Sequence, residues 1–90
     1  MKKEYTTKKN KMINAYILAN TYSKDINQIL NDTEKLQYIK SVAIVSGDRD
    51  LIVKTKVKSL EQLMNVTENI RCIDGIKEVV THIVEKEINK

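Results

Sequence analysis

The stretch that decides the fold is VAIVSGDRDLIVK, residues 42–54, because it places a glycine between two apolar runs. Runs rich in valine and isoleucine that flank Gly and Asp predict two antiparallel strands joined by a hairpin. Glycine adopts the positive φ that a type II′ turn needs at its first central position, so Gly47-Asp48 predicts a two-residue turn. Asp48, Arg49 and Asp50 add two carboxylates around a guanidinium, which makes the same segment a candidate binding site.

Upstream of the hairpin, the sequence predicts a strand followed by a helix. The stretch MINAYILAN, residues 12–20, alternates between two sets of apolar side chains, as a strand with two apolar faces would. A helix is predicted from about Ser23 to Thr33, or as far as Leu36, with Thr21 or Ser23 as its N-cap. Asp25 suits the positive end of the helix dipole.

Downstream of the hairpin, the sequence predicts a helix followed by a strand. Ser59 and Gln62 form a capping box, which predicts the start of a second helix. Apolar and small side chains recur along it at helical spacing, at Leu60, Leu63, Met64, Thr67 and Ile70. Cys72 closes this helix and is expected to be buried, and Asp74-Gly75 separates it from a fourth strand in IKEVVTHIVEK.

The predicted order β-α-β-β-α-β gives a ferredoxin-like α+β sandwich, a four-stranded antiparallel sheet with both helices on one face. The other face of this sheet is also apolar and has no cover within the chain. It carries Tyr16, Leu18, Ala43, Val45 and Ile52. We therefore predict that two copies pack sheet against sheet in a homodimer.

Length and composition fit one small domain preceded by a charged segment. The chain has 90 residues, without Phe, Trp or Pro, and its single cysteine cannot form an internal disulfide. Five of the 16 basic residues and one of the 12 acidic ones lie in residues 1–11, so residues 12–90 carry 11 of each. We predict a disordered basic tail over 1–11 and a folded unit over 12–90. No apolar run approaches a membrane span, and a soluble cytoplasmic protein is expected.

Two segments together resemble a known family. The hairpin IVSGDRDLIVK and the later IRCIDGIKEVVTHIV are similar to the effector-binding domain, or RAM domain, of the Lrp/AsnC (feast/famine) transcriptional regulators. The resemblance covers Met12 to Glu87. The family's Val-x-Gly-x-x-Asp-Leu segment is matched by Val45, Gly47, Asp50 and Leu51, and its later pattern by Ile73, Gly75, Ile76 and Thr81.

The resemblance implies a dimeric α/β-barrel assembly, extended in some members to tetramers or octamers, that binds an amino acid or a similar small molecule between subunits. Family members that read DNA carry a helix-turn-helix domain before this one. Only eleven residues precede Met12 here, so we expect a stand-alone form that does not bind DNA directly and that acts on full-length regulators of the family. No cofactor is implied.

The candidate ligand-binding residues follow from the hairpin and from the resemblance. They are Ser46, Gly47, Asp48, Arg49, Asp50, Val79 and Thr81. Arg49 stands where the family often has an aromatic residue, and Val79 replaces the first threonine of the family's Thr-x-Thr. A metal site at Asp48 and Asp50 is disfavoured, because hard cations need about six oxygen ligands and no further carboxylates lie nearby. A turn without any ligand remains an alternative for this segment.

Two other functions stay open at this stage. One is a small dimeric α/β-barrel enzyme, which is disfavoured because the single histidine, His82, and scattered carboxylates form no catalytic pattern. The other is an assembly factor that binds no ligand. Nucleic-acid binding by the sheet is disfavoured, because the folded unit is neutral and lacks the aromatic side chains on which bases stack.

Overall fold

The computed structural model describes residues 12–22 and 25–88. The predicted basic tail, residues 1–11, lies outside the described residues. Six elements follow one another in the predicted order βαββαβ. They are β1 (Ile13–Thr21), α1 (Ile26–Glu34), β2 (Ile39–Ile44), β3 (Leu51–Val57), α2 (Leu60–Arg71) and β4 (Ile76–Ile83). Neither described helix is long and apolar enough to cross a membrane.

The four strands form one antiparallel sheet in the order β2-β3-β1-β4. β1 lies in the middle, and Ile17 pairs with Val53 of β3 on one side and with Thr81 of β4 on the other. The register on the β4 side shifts between Asn20 and Thr21, where β1 ends. The ferredoxin-like prediction is confirmed, and β2 and β4 are the two edge strands.

The core lies between the helices and one face of the sheet. The alternation predicted for β1 and β3 is confirmed, since every second residue is buried throughout β3 and along the middle of β1. The buried apolar side chains are Ala15, Ile17, Ala19, Leu51, Val53 and Val57 of the sheet, with Ile29, Leu63, Val66 and Ile70 of the helices. With no aromatic ring among them, the core is built from aliphatic side chains.

Two threonines are also fully buried, and each satisfies its hydroxyl through the backbone. Thr33 donates to the carbonyl oxygen of Ile29 at 2.8 Å, one turn earlier in α1. Thr55 donates to the carbonyl oxygen of Tyr38 at 2.5 Å, which ties β3 to the residue before β2. A buried hydroxyl without such a partner would cost about 1–3 kcal/mol, so these bonds make the two positions compatible with the core.

The helix N-termini show one corrected prediction and one confirmed one. Asp25 is the N-cap of α1, and its Oδ1 accepts from the backbone N–H of Gln28 at 3.2 Å. The predicted cap Thr21 lies in β1 instead, and Ser23 is outside the described residues. The Ser59 cap of α2 is confirmed, with its Oγ accepting from the backbone N–H of Gln62 at 3.1 Å.

Two residues of α2 and its C-cap residue are more exposed than their spacing predicts. The face that packs on the sheet runs through Leu63, Val66 and Ile70. Leu60 and Met64 lie beside this face and are 57% and 70% exposed. Cys72, predicted to be buried, is an exposed free thiol, because it is the C-cap residue and lies one step beyond the last buried turn.

The connection between β2 and β3 is longer than the predicted two-residue type II′ turn. β2 ends at Ile44 and β3 begins at Leu51, so six residues join them. The backbone N–H of Val45 donates to the carbonyl oxygen of Asp50 at 2.9 Å, which leaves residues 46–49 as the loop. Gly47 has a φ of +136°, so the expected positive φ is present although the turn type is wrong.

The sheet face opposite the helices, here called the open face, carries the second apolar set. Leu18 of β1 pairs with Ile52 of β3 and Val80 of β4, and Ala43 of β2 pairs with Ile52. Leu18, Ile52 and Val80 are each partly accessible, and Ala43 is exposed. The residues that alternate with them along β1 and β3 face the helices and form the buried set.

Candidate functional site

The loop between β2 and β3 places its polar groups at the end of the sheet where β1 also ends. Ser46, Gly47 and Asp48 are exposed, and a Cβ added to Gly47 would meet nothing within 4 Å. The glycine is therefore required by its backbone angle and not by a close neighbour. This geometry leaves the backbone and the Asp48 carboxylate accessible.

Asp50 fixes the loop to the central strand. Its Oδ2 accepts hydrogen bonds from the backbone N–H of Thr21 at 2.9 Å and from Thr21 Oγ1 at 3.2 Å. Its own N–H donates to the carbonyl oxygen of Ala19 at 3.1 Å. Hydrogen bonds to a carboxylate are stronger than neutral ones, so Asp50 holds residues 46–49 in place against β1.

Arg49 extends from the loop across β1 to β4. Its Nη1 lies 3.7 Å from Oε1 of Glu78, and the Arg49 side chain is 28% exposed. The same Oε1 accepts from Asn20 Nδ2 at 3.3 Å. Asn20 and Glu78 are paired in the β1–β4 ladder, so the guanidinium lies at the end of the open face.

Val79 and Thr81 lie on the helix-facing side of β4. Val79 packs against the core, and Thr81 Oγ1 is 3.0 Å from Thr67 Oγ1 of α2. Val79 pairs with Ala19, which pairs with Leu51 at the start of β3. The loop and these two residues are therefore separated by the width of β1, about 10 Å at ordinary strand spacing. Arg49 of the loop reaches β4 through its ion pair with Glu78.

Sequence reasoning missed the residues that position the loop. Thr21 holds Asp50, Asn20 and Glu78 surround Arg49, and Thr67 bonds to Thr81. The Asn20–Glu78 contact depends on the pairing of β1 with β4, across 58 residues, while Thr21–Asp50 joins β1 to the loop before β3 and Thr67–Thr81 joins α2 to β4. The Asn20–Glu78 contact could be found from the sequence only by predicting the antiparallel register of β1 and β4, and this register shifts at the end of β1.

The other end of the open face carries a polar cluster. Tyr16 OH donates to Glu87 Oε2 at 2.6 Å, and Lys54 Nζ lies 3.6 Å from the same oxygen and 5.6 Å from the centre of the Tyr16 ring. The hydrogen bond from Tyr16 holds the pKa of Glu87 below its ordinary value, with a further contribution from the Lys54 charge. His82 is exposed and pairs with Tyr16, as expected for a surface or interface histidine.

A groove of about 850 Å³ lies elsewhere, between α1 and the start of β4. Its lining includes Asp25, Gln28 and Asp32 of α1 and its cap, with residues 72–76. Neither His82 nor any predicted ligand-binding residue lines it. This groove therefore gives no support to a catalytic role for His82.

This chain is similar to one protein family and to several solved structures. The chain matches the family model of the Lrp/AsnC ligand binding domain over residues 14–90. Among solved structures it is similar to FFRP-DM1, with 29% identity and a TM-score of 0.73 over 80% of this chain and 97% of that one. It is similar in fold to E. coli AsnC, with 21% identity and a TM-score of 0.79, where all of this chain covers 61% of the other.

This chain is also similar to a regulator solved with an amino acid and to part of an enzyme. A regulator of Neisseria meningitidis solved as a complex with L-Met has the same fold, with 15% identity and a TM-score of 0.75 over all of this chain and 59% of that one. Homocitrate synthase of Sulfurisphaera tokodaii is 36% identical over 50 residues, which are 56% of this chain and 11% of the synthase. The chain thus spans only a small part of the length of that curated relative.

Proposed function

Because the chain belongs to the Lrp/AsnC ligand binding domain family, we propose that it is a small-molecule-binding module that senses an amino acid and transmits its occupancy through subunit assembly. The observation that carries this proposal is the family match over residues 14–90, combined with a loop that is fixed at Asp50 and accessible at 46–48. A non-enzymatic role fits the same observations, since the fold neighbours include transcriptional regulators.

The ligand site is proposed at the loop between β2 and β3, while Val79, packed against the core, and Thr81, bonded to Thr67 of α2, support β4 from its helix-facing side. Asp48 would accept from the ligand's ammonium group, while the backbone around Gly47 and the Ser46 hydroxyl are accessible to its carboxylate. Asp50 is already occupied by Thr21, so its role is to hold the loop in the binding geometry. Because Arg49 of the loop lies at the end of the open face, a second subunit packed on that face would reach the same site.

The subunit contact is proposed to be the open face. Two sheets packed face to face would cover Leu18, Ile52 and Val80, which the described helices leave partly accessible. Ile52→Lys should shift the protein to smaller species in sedimentation velocity at micromolar concentration while its circular dichroism stays native. Met64→Lys is the matched control, because Met64 is an exposed apolar residue on α2. A wild-type protein that sediments as a monomer would contradict this proposal.

Ligand binding and assembly are linked when one ligand contacts two subunits. A ligand that binds only the folded assembly stabilises it by about 2.7 kcal/mol at a concentration 100 times its Kd. A thermal-shift screen of the twenty proteinogenic amino acids, with native mass spectra recorded beside it, tests the sensing function. At least one amino acid should raise the melting temperature and change the assembly size. If none does either, effector sensing is refuted.

The proposed target of the signal is a full-length regulator of the same family, joined through mixed oligomers. A second candidate target is a biosynthetic enzyme, because part of this chain matches a segment of homocitrate synthase. Co-expression with a tagged full-length regulator from the same genome distinguishes the two. Amino-acid-dependent co-purification supports the first, and its absence together with amino-acid-dependent capture of the synthase supports the second.

A further inference from the structure

The guanidinium of Arg49 is only partly used by the folded chain. Its Nη1 is buried from solvent, yet it forms no hydrogen bond with any described residue. The Glu78 carboxylate is the nearest opposite charge, but at 3.7 Å it lies beyond hydrogen-bonding distance. The Arg49–Glu78 contact is therefore an ion pair without the hydrogen bonds that give such pairs most of their strength.

Asn20 shows the same incomplete pairing at the same place. Its Nδ2 donates to Glu78 Oε1 at 3.3 Å, while its Oδ1 is buried without a hydrogen bond from the described residues. An unused buried donor and an unused buried acceptor thus flank one carboxylate. Buried polar groups are nearly always paired in folded proteins, so the Arg49 donor indicates a place where an acceptor from a further molecule can bind, whereas Asn20 Oδ1 needs a donor.

We propose that Arg49 makes this module selective for effectors that carry a second acidic group, and that Glu78 is the internal carboxylate which such an effector displaces. The inference rests on the proposed function, since it assumes an amino acid bound at the loop. The loop groups around Gly47 and Asp48 hold the ammonium and α-carboxylate common to all amino acids. Arg49 then distinguishes among them by the side chain.

Displacement of Glu78 is consistent with its surroundings. The Glu78 side chain is 58% exposed and lies on an edge strand, so it can turn outward into water without leaving a buried charge. An incoming carboxylate can take both oxygens to the guanidinium in a bidentate pair. A neutral side chain offers no charge in exchange and leaves the Arg49–Glu78 pair in place.

The test uses acid and amide ligands of nearly the same shape. L-glutamate is compared with L-glutamine, and L-aspartate with L-asparagine, by calorimetric titration of the full chain. One acid should bind at least about tenfold more tightly than its amide, which corresponds to one charge-assisted hydrogen-bonded pair. Arg49→Gln should abolish that preference, and Glu78→Gln should strengthen binding of the acid because the internal competitor is removed.

The chain contains a matched control pair. Arg71 Nη1 lies 3.1 Å from Glu68 Oε1 on the exposed side of α2, so Arg71→Gln and Glu68→Gln remove the same charges away from the site. These variants should leave both affinities unchanged. If the amides bind as tightly as the acids, or if Arg49→Gln retains the preference, this inference is overturned while the sensing function stands. If no amino acid binds the wild type, the proposed function fails with it.

Discussion

Gly75 offers the sharpest test of the packing, because two separate reasons require glycine there. It has a φ of +99°, and a Cβ built on it would lie 2.8 Å from Ile29 Cδ1 and 3.3 Å from Ile29 Cγ1. Ile29 is 2% exposed and belongs to the core, so moving its side chain toward the neighbouring groove would cost core contacts. We predict that Gly75→Ala destabilises the protein by about 2–4 kcal/mol, of which about 1–3 is backbone strain and the rest overpacking against Ile29.

A double-mutant cycle separates the two causes. Ile29→Val removes Cδ1, the atom at 2.8 Å, and should by itself cost about 0.5–1.5 kcal/mol. If the contact is real, Gly75→Ala combined with Ile29→Val should cost about 1 kcal/mol less than the sum of the single changes. Gly47→Ala is the control, because Gly47 has a positive φ and no neighbour within 4 Å of its added Cβ. Combined with Ile29→Val it should be additive.

The assay is equilibrium unfolding in urea at one fixed protein concentration, since any assembly makes the midpoint depend on concentration. The free energy of unfolding is compared for the wild type, both glycine variants, Ile29→Val and the two double variants. Additivity within about 0.5 kcal/mol for the Gly75–Ile29 pair would refute the overpacking argument and leave backbone strain as the whole effect. A coupling of the same size at Gly47 would refute the use of the Cβ distance altogether.

Two further predictions concern polar groups. Thr55→Val keeps the shape of a fully buried side chain but removes the hydroxyl that donates to Tyr38 O. It should therefore lower the free energy of unfolding by about 1–3 kcal/mol at an unchanged urea m-value. A variant as stable as the wild type would contradict this prediction. Glu87, whose pKa Tyr16 lowers, contributes stability at pH values above the ordinary glutamate pKa, and this contribution is lost as the pH falls through the lowered pKa. Tyr16→Phe should make the melting temperature fall less steeply over that acidic range, and an unchanged slope would show that the bond contributes nothing.

The sequence was sufficient for the elements and their order because each carries its own local signal. β1 and β3 alternate with a period of two, and the Ser59–Gln62 pair marks the start of α2. The helix face of α2 was predicted less well. Leu60 and Met64 have helical spacing, but the position of α2 above the sheet directs Val66 inward instead. That choice depends on tertiary packing, which a periodic pattern does not encode.

The candidate site was less predictable because its contacts join distant parts of the chain. The Gly47-Asp48 pair indicated a hairpin, and local rules favour the two-residue turn there. The longer loop is set by Asp50, whose bonds to Thr21 and Ala19 hold it beside β1 and leave residues 46–49 outside the ladder. No local pattern shows that an aspartate after a turn will bond to a strand 29 residues earlier.

The two helix-to-strand connections explain why one special backbone position was visible in the sequence and the other was not. Tyr38 precedes β2 with a φ of +69°, and Gly75 precedes β4 with a φ of +99°. At Gly75 the neighbouring Ile29 excludes a side chain, so the sequence must show glycine. At Tyr38 a side chain is accommodated, and its hydroxyl accepts from Gln62 Nε2 at 3.3 Å while its carbonyl binds Thr55. Both connections need a positive φ. At Tyr38, contacts with a strand and a helix hold the backbone in this conformation, whereas at Gly75 the absence of a side chain allows it. Only Gly75 could therefore be recognised from the sequence as a special position.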